Sequence, residues 1–389
     1  MNVLVINAGS SSLKFQLLDV DTAEVYAKGN CERIGLESSF IGYELMGGEK
    51  VEEDVPFPDH TAAIAKVFDL VKSTGKQIGG IGHRVVQGGW YFSESTVIDD
   101  ETLAQIREVS PLAPLHNPPE ADVIEICRDM FPDLKNVAVC DTAFHHNMPE
   151  VAWRYALPRD IVDKLHIRKY GMHGTSHRYI WRAVNEFTGG DAHKLINLHL
   201  GSGASLCAVE DGRSIETTMG LTPLDGLVMG TRTGTLDPAT VFYLYREGGY
   251  SIDEIDDIMN KKSGLRALAD GPTDTRDIEQ RAADGDEKCK MALDIWSYRV
   301  AQLFCEMAAA LEGVDTMAFS AGIGENSSTM RAMVCDRLEW LGVKIDPEKN
   351  AVRSGEVRDI SAPDSKIRVL VVPTNEEYMI ALDVAELIG

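Results

Sequence analysis

Short apolar runs alternate along this chain with stretches that are apolar on one face only. Residues 2 to 6 (NVLVI) and 13 to 18 (LKFQLL) flank the turn NAGSSS, a spacing that predicts a β-hairpin at the start of the fold. LINLHL (195 to 200) and ASLCAVE (204 to 210) flank GSG in the same way. A strand, small-residue turn, strand unit near the start of each half points to two related domains. Between the hairpins, 60 to 72 has helical spacing, 78 to 86 is strand-like, 117 to 130 reads as a helix with Asn117 as its N-cap and Pro118 in its first turn, and NVAVC (136 to 140) reads as a buried strand. After the second hairpin come a helix opening at Asp237 and Pro238, the longest helical pattern (287 to 313), a strand, Gly-rich turn and helix start (316 to 326), and a final strand-to-helix step (367 to 388). This alternation predicts an α/β protein. The boundary is expected near residue 142, with the last helix returning to the first domain: 1–141 plus 376–389 as one domain, 142–375 as the other.

At 389 residues the chain exceeds one ordinary core, and its 44% hydrophobic and 25% charged residues are those of a globular protein. A formal charge of −23 repels polyanions, which argues against nucleic acid or anionic membrane surfaces as partners. Any phosphate site must therefore be locally positive. The seven cysteines are scattered without a CxxC pair, as reduced core thiols would be. MNVLVINAG carries no basic leader and no segment reaches the roughly 18 apolar residues of a membrane helix, so a cytoplasmic location is expected.

Three GxG turns are expected at strand ends: Gly80 and Gly82, Gly201 and Gly203, Gly322 and Gly324. None extends to a dinucleotide fingerprint, and Gly75-Lys76 is followed by Gln77 rather than the Ser or Thr of a P-loop. A turn such as GSGAS can hold phosphate oxygens by its backbone N–H groups, or be a tight hairpin that needs glycine. GIGEN (322 to 326) is the stronger signal, because it joins an apolar strand to a helix N-terminus with free N–H groups.

Eight segments in order carry a wider likeness: NAGSSSLKF (7 to 15), GHRVVQGG (82 to 89), PLHNPP (114 to 119), CDTAFH (140 to 145), YGMHGTSH (170 to 177), TPLDGLVMGTR (222 to 232), GIGEN (322 to 326) and PTNEE (373 to 377). The chain resembles the acetate kinase (acetokinase) family, of the acetate and sugar kinase, Hsp70 and actin superfamily, over essentially its full length. The resemblance implies two ribonuclease H-like (actin-like ATPase) α/β domains related by internal duplication, with an interdomain cleft. It also implies reversible phosphoryl transfer between ATP and acetate, giving ADP and acetyl phosphate, with Mg²⁺ (or Mn²⁺) as cofactor and a homodimer as the assembly.

Phosphoryl transfer to a carboxylate asks the protein for positioning and positive charge more than covalent chemistry. Arg84 and Arg232 match the family's substrate-site arginines, although an arginine is more often one half of a surface ion pair. By resemblance His173 steadies the phosphoryl oxygens. His173 and His177 could instead bind a metal if both lay on one helix, but the glycines around His173 argue for a turn, and His177 reads as a helix N-terminal or packing residue. Asp141, at the end of NVAVC, is an acid/base or metal-organising group by resemblance. The second is preferred because acetate is already ionised at neutral pH. Asn7 and Glu377 are implied at the Mg²⁺ site, whereas Thr374 and Glu377 also form a capping-box pattern. Lys14 would approach the nucleotide phosphates, or be a solvated strand residue.

The nucleotide is expected at His199, Leu200, Gly201, Ser202 and Gly203, at Asp274, Thr275 and Arg276, and at Gly322, Ile323, Gly324, Glu325 and Asn326, with His116 a secondary site residue. Val86, Leu115, Met172 and Pro223 match the walls of the acyl pocket. Val86 favours acetate, since propionate kinases tend to carry a smaller residue there. The chain departs from the family pattern at Ser202 (usually Asn), at the diverged run around 274 to 276, and at Met172 (usually Phe). A nucleotide-switched binding protein and a sugar kinase of the same superfamily are the competing readings; the first lacks the acid-site motifs and the second needs a general base.

Overall fold

The computed structural model describes residues 1–389. Its contacts divide the chain into two compact units: Met1–His146, His173–Ser176 and Asn375–Gly389 form the first, Asn147–Met172 and His177–Thr374 the second.

The first unit is built on an eight-stranded sheet: β1 (Asn2–Ala8), β2 (Ser12–Asp19), β3 (Val25–Glu32), β4 (Phe40–Leu45), β5 (Val51–Asp54), β6 (Gly80–Val85), β7 (Thr96–Val97) and β8 (Asn136–Cys140), in the order β5-β4-β3-β2-β1-β6-β8-β7. The second has six strands: β9 (Lys194–Leu200), β10 (Ala204–Glu210), β11 (Arg213–Thr217), β12 (Thr316–Ser320), β13 (Arg358–Asp359) and β14 (Arg368–Val371), in the order β11-β10-β9-β12-β14-β13. Each sheet contains an antiparallel meander whose first strand pairs in parallel with a later strand, which pairs in parallel with a third: β1 with β6 and β6 with β8, β9 with β12 and β12 with β14. The common order β3-β2-β1-β6-β8 and β11-β10-β9-β12-β14 is the duplicated ribonuclease H-like arrangement.

The central strands read as unbroken apolar runs because both faces of the sheet are covered. In β1, Leu4 and Ile6 pack with Ile64, Val67 and Cys127 of the helices His60–Ser73 and Asn117–Met130. Val3 and Val5 point the other way, onto Ile380 and Val384 of the helix Glu376–Ile388. The C-terminal helix thus completes the core of the first unit. No helix is long and apolar enough to cross a membrane.

Four local expectations are corrected. Gly80 and Gly82 are not a turn but lie inside β6, where a Cβ on Gly82 would stand 2.5 Å from Cγ2 of Ile380; glycine is needed there for close helix–sheet approach. GIGEN is not a loop ahead of a helix, because the helix Ala321–Asn326 follows β12 directly and contains it, with Ala321 turning the chain at φ +63°. His116, not Asn117, is the N-cap of the helix Asn117–Met130. Asn375, whose side chain accepts from the Tyr378 N–H, caps the last helix in place of a box between Thr374 and Glu377.

Candidate functional site

In an open parallel sheet, side chains just beyond the carboxyl ends of the strands are free to meet a ligand, because the chain leaves the ladder there. In the first unit this rule gathers Asn7 near the end of β1, Arg84 near the end of β6, and Asp141 directly after β8. The three are in contact. Arg84 Nε and Nη2 donate to Asp141 Oδ1 (3.3 Å) and Oδ2 (2.7 Å), and Arg84 Nη1 donates to Asn7 Oδ1 (3.4 Å). Glu376 adds a second carboxylate 3.8 Å from Arg84 Nε. Burial pulls the Arg84 pKa down, but Asp141 and then Glu376 outweigh it and the net shift is upward. Arg84 is therefore a permanent cation with a fixed fork, held by a carboxylate that is itself buried.

His173 and Gly174 adjoin this cluster through the backbone. The Gly174 N–H donates to the Asp141 carbonyl at 2.9 Å, and a Cβ on Gly174 would lie 2.1 Å from that oxygen. Only glycine fits. His173 occupies the left-handed region (φ +58°), a conformation a non-glycine residue adopts at some energetic expense and one that recurs at functional positions. Thr175 Oγ1 donates to Asp141 Oδ1 at 3.3 Å. His177 is wholly buried: its Nε2 lies 2.8 Å from Ser205 Oγ and its Nδ1 2.7 Å from Asn197 Nδ2, so it ties the helix Gly174–Thr188 to the second sheet.

Asn7 and Lys14 are direct partners across the β1–β2 ladder, so their side chains share a face. Lys14 and Glu377 line one shallow cavity of about 310 Å³. No group of three or more His, Cys, Asp or Glu side chains is arranged to hold a metal. A cation at Asn7 and Glu377 would rest on oxygen donors and complete its shell with water and phosphate, the habit of Mg²⁺. The donor set fits that ion.

Two acids beside Arg84 escaped the sequence. Burial pushes Glu376 up to about 7 despite Arg84, with Asp141 and Glu377 adding to the rise. Glu120, in the first turn of the helix Asn117–Met130, is pushed up to about 8 by burial, while Arg84 and the Val86 N–H pull the other way. Neither differs in sequence from an ordinary acid at a helix N-terminus, a position that favours negative charge. A carboxyl with a raised folded pKa keeps its proton while the unfolded chain releases it, so stability falls as pH climbs from about 4.5 to about 8 and levels off above. Glu120→Gln removes this loss, which at about 1.4 kcal/mol per pKa unit amounts to several kcal/mol at most. The melting temperature of Glu120→Gln relative to the parent protein should rise by a few degrees between pH 5 and pH 8. A difference independent of pH would contradict the assignment.

Val86 is buried and Leu115 is exposed, both in the first unit; Met172, buried, and Pro223 belong to the second. His116 caps the helix that follows Leu115.

The second unit repeats the strand-end logic at β9 and β12. A cavity of about 1040 Å³ is lined by Gly201, Ser202, Gly230, Asp274, Thr275, Arg276, Gly322, Ile323 and Asn326. Of the other residues expected there, His199 and Leu200 are buried in β9, and Gly203 leads into β10. Gly324 is buried in its helix, and Glu325 Oε1 accepts from the Thr374 N–H at 3.0 Å. Glu279, Gln280, Trp296, Ser327, Ser328, Thr329 and Arg353 also line the cavity and carry no motif that would have revealed them. Asp274 caps the helix Thr275–Ala283 and grips Arg276; that hydrogen bond holds the Asp274 carboxyl down to about 2. Arg232 contrasts with Arg84: it donates to the Pro223 carbonyl (3.3 Å) and the Met229 sulfur (3.6 Å), faces no carboxylate, and has its pKa lowered by burial.

Residues 2–382 match the Acetokinase family. A protein of Fervidobacterium nodosum named "Acetate kinase" is 50% identical over 399 aligned positions, covering 100% of this chain and 98% of the relative. Among solved structures, Porphyromonas gingivalis acetate kinase superposes with a TM-score of 0.94 at 39% identity, covering 100% of both chains. A propionate kinase from Francisella tularensis superposes with a TM-score of 0.92, also at 39% identity, covering 98% of both.

Proposed function

The chain belongs to the acetokinase family, and from that premise we propose that it reversibly transfers the γ-phosphoryl group of ATP to acetate, giving acetyl phosphate and ADP by direct in-line displacement. The enzyme is a phosphotransferase with a carboxyl group as acceptor. The observation that carries the reading is the Arg84 fork held by Asp141 at strand ends, beside a histidine in a left-handed turn.

Acetate is ionised at neutral pH and needs no general base. Its oxygen forms the new bond to the γ-phosphorus while the bond to the bridging oxygen breaks, and that electron pair leaves with ADP. Arg84, His173 and Arg232 share one task, stabilising the charge spread over the transferring oxygens. Asp141 keeps the Arg84 fork in one orientation, which agrees better with its contacts than proton transfer does. Asn7 and Glu377 would hold Mg²⁺, for which Mn²⁺ can substitute; when bound, the ion neutralises nucleotide phosphates. Lys14 would add positive charge from the same face. The nucleotide is assigned to the large cavity of the second unit, whose volume suits a ligand of that size.

Overall likeness does not separate acetate from propionate, since solved relatives of both names are 39% identical to this chain. The acid is set instead by the acyl pocket, assigned to Val86, Leu115, Met172 and Pro223. Coupled assays with acetate, propionate and butyrate should rank them in that order. Val86→Ala should raise the propionate-to-acetate ratio of kcat/KM by about tenfold, within the range of roughly 1–3 kcal/mol for one methylene. An unchanged ratio would remove Val86 from the pocket.

We assign the reaction to the cytoplasm, in keeping with seven scattered cysteines that include no CxxC pair. The active species is assigned as a homodimer. The helix Ala239–Arg246 has no buried residue and exposes Phe242, Tyr243 and Tyr245, aromatic surface of the kind enriched at interfaces. Phe242→Glu should lower the mass measured by light scattering to that of one chain; a mass that stays at two chains would place the interface elsewhere.

A further inference from the structure

The loop that follows β6 is held in an unusual way. Four consecutive backbone N–H groups, from Val86 to Gly89, are each taken by a side chain rather than by another strand or turn. The Val86 N–H donates to Glu120 Oε2 (3.1 Å) and the Gln87 N–H to Asn117 Oδ1 (3.1 Å). The Gly88 N–H donates to Thr142 Oγ1 (3.0 Å) and the Gly89 N–H to Gln87 Oε1 (2.8 Å). Asn117 Nδ2 returns a bond to the Gln87 carbonyl at 2.7 Å, and Asn117, Glu120 and Thr142 are all buried.

Glu120 is the costly member of this cradle. Its Oε1 is buried with no hydrogen-bond partner, although the carboxyl sits where burial strongly disfavours its charge. An apolar side chain of similar size would remove that penalty, so by itself Glu120 is a poor stabilising choice. What an apolar residue could not do is accept the Val86 N–H.

We propose that Glu120 is a specificity-determining positioning residue, which by fixing the Val86 backbone sets how much room the acyl group finds and hence which carboxylic acid is accepted. The inference rests on the reading of Val86 as an acyl-pocket wall in a carboxylate kinase. Because Glu120 acts through the loop and touches no substrate, a neutral acceptor of the same shape should serve equally well.

The test compares Glu120→Gln, Glu120→Leu and Thr142→Val in acyl phosphate formation from acetate, propionate and butyrate. Glu120→Leu should raise the propionate-to-acetate ratio of kcat/KM by about fivefold or more, mostly through a higher KM for acetate, while Glu120→Gln stays within about twofold of the parent. A purely structural role would lower turnover on all three acids alike and leave the ratio unmoved. Thr142→Val, which frees the Gly88 N–H with little change in shape, should move the ratio in the same direction, and it decides the matter if Glu120→Leu does not fold. An unchanged ratio in the folded variants, or Glu120→Gln as permissive as Glu120→Leu, overturns the proposal. A parent enzyme that forms no acyl phosphate from any of the acids overturns instead the functional reading beneath it.

Discussion

Replacing Arg84 by alanine is expected to lower kcat/KM for acyl phosphate formation by about 10³- to 10⁴-fold and to destabilise the first unit as well. The catalytic loss follows from removing a charge-assisted fork whose orientation Asp141 holds through bonds of 2.7 and 3.3 Å. The loss of stability follows from what remains behind. Asp141 is 1% exposed, and without Arg84 its carboxylate is buried without a cation, a situation that costs about 3–5 kcal/mol. Sequence alone suggests that Arg84→Ala would spare the fold; the buried partner revises that expectation. Two further variants separate the effects. Arg84→Ala combined with Asp141→Asn should recover much of the lost melting temperature yet remain inactive, and Arg84→Lys should keep the charge while losing the two-point contact. Trapping the product with hydroxylamine measures turnover, and thermal unfolding measures stability. Turnover near that of the parent in Arg84→Ala would end the proposed role.

Arg232→Ala should give a catalytic loss of comparable size, about 10²- to 10⁴-fold, with no loss of stability. The difference lies in the partners. Arg232 donates only to a carbonyl and a sulfur, and burial lowers its pKa with no carboxylate to offset it. A guanidinium so placed contributes little to folding and gains most from an anionic ligand. The melting temperature of Arg232→Ala should therefore equal or exceed that of the parent, and the rise produced by acetyl phosphate should shrink. A substantial drop in stability without ligand would show that Arg232 holds structure rather than substrate.

Much of the fold could be read from local pattern. The two hairpins, the strand NVAVC and the helices His60–Ser73 and Asn117–Met130 lie where period and turn chemistry put them, because each is specified by a few neighbouring residues. The expected return of the last helix to the first domain is likewise found, with Ile380 and Val384 packed on Val3 and Val5. GIGEN shows the limit: the residues suit both a phosphate loop and a short helix, and the abrupt reversal at Ala321 settles which they form.

What the sequence determined by itself is therefore the elements, their duplicated order and the residue types gathered at strand ends, all of which depend on short-range preference and on side-chain chemistry. The tertiary structure alone decided which of those groups share a buried environment. Asp141 meets Arg84 across 57 positions of chain, Glu120 reaches Val86 across 34, and Gly82 makes room for Ile380 from the far end of the protein. The raised pKa of Glu120, the bare guanidinium of Arg232 and the glycine inside β6 all arise from water excluded and space filled by distant segments, and no local pattern records how those segments come together.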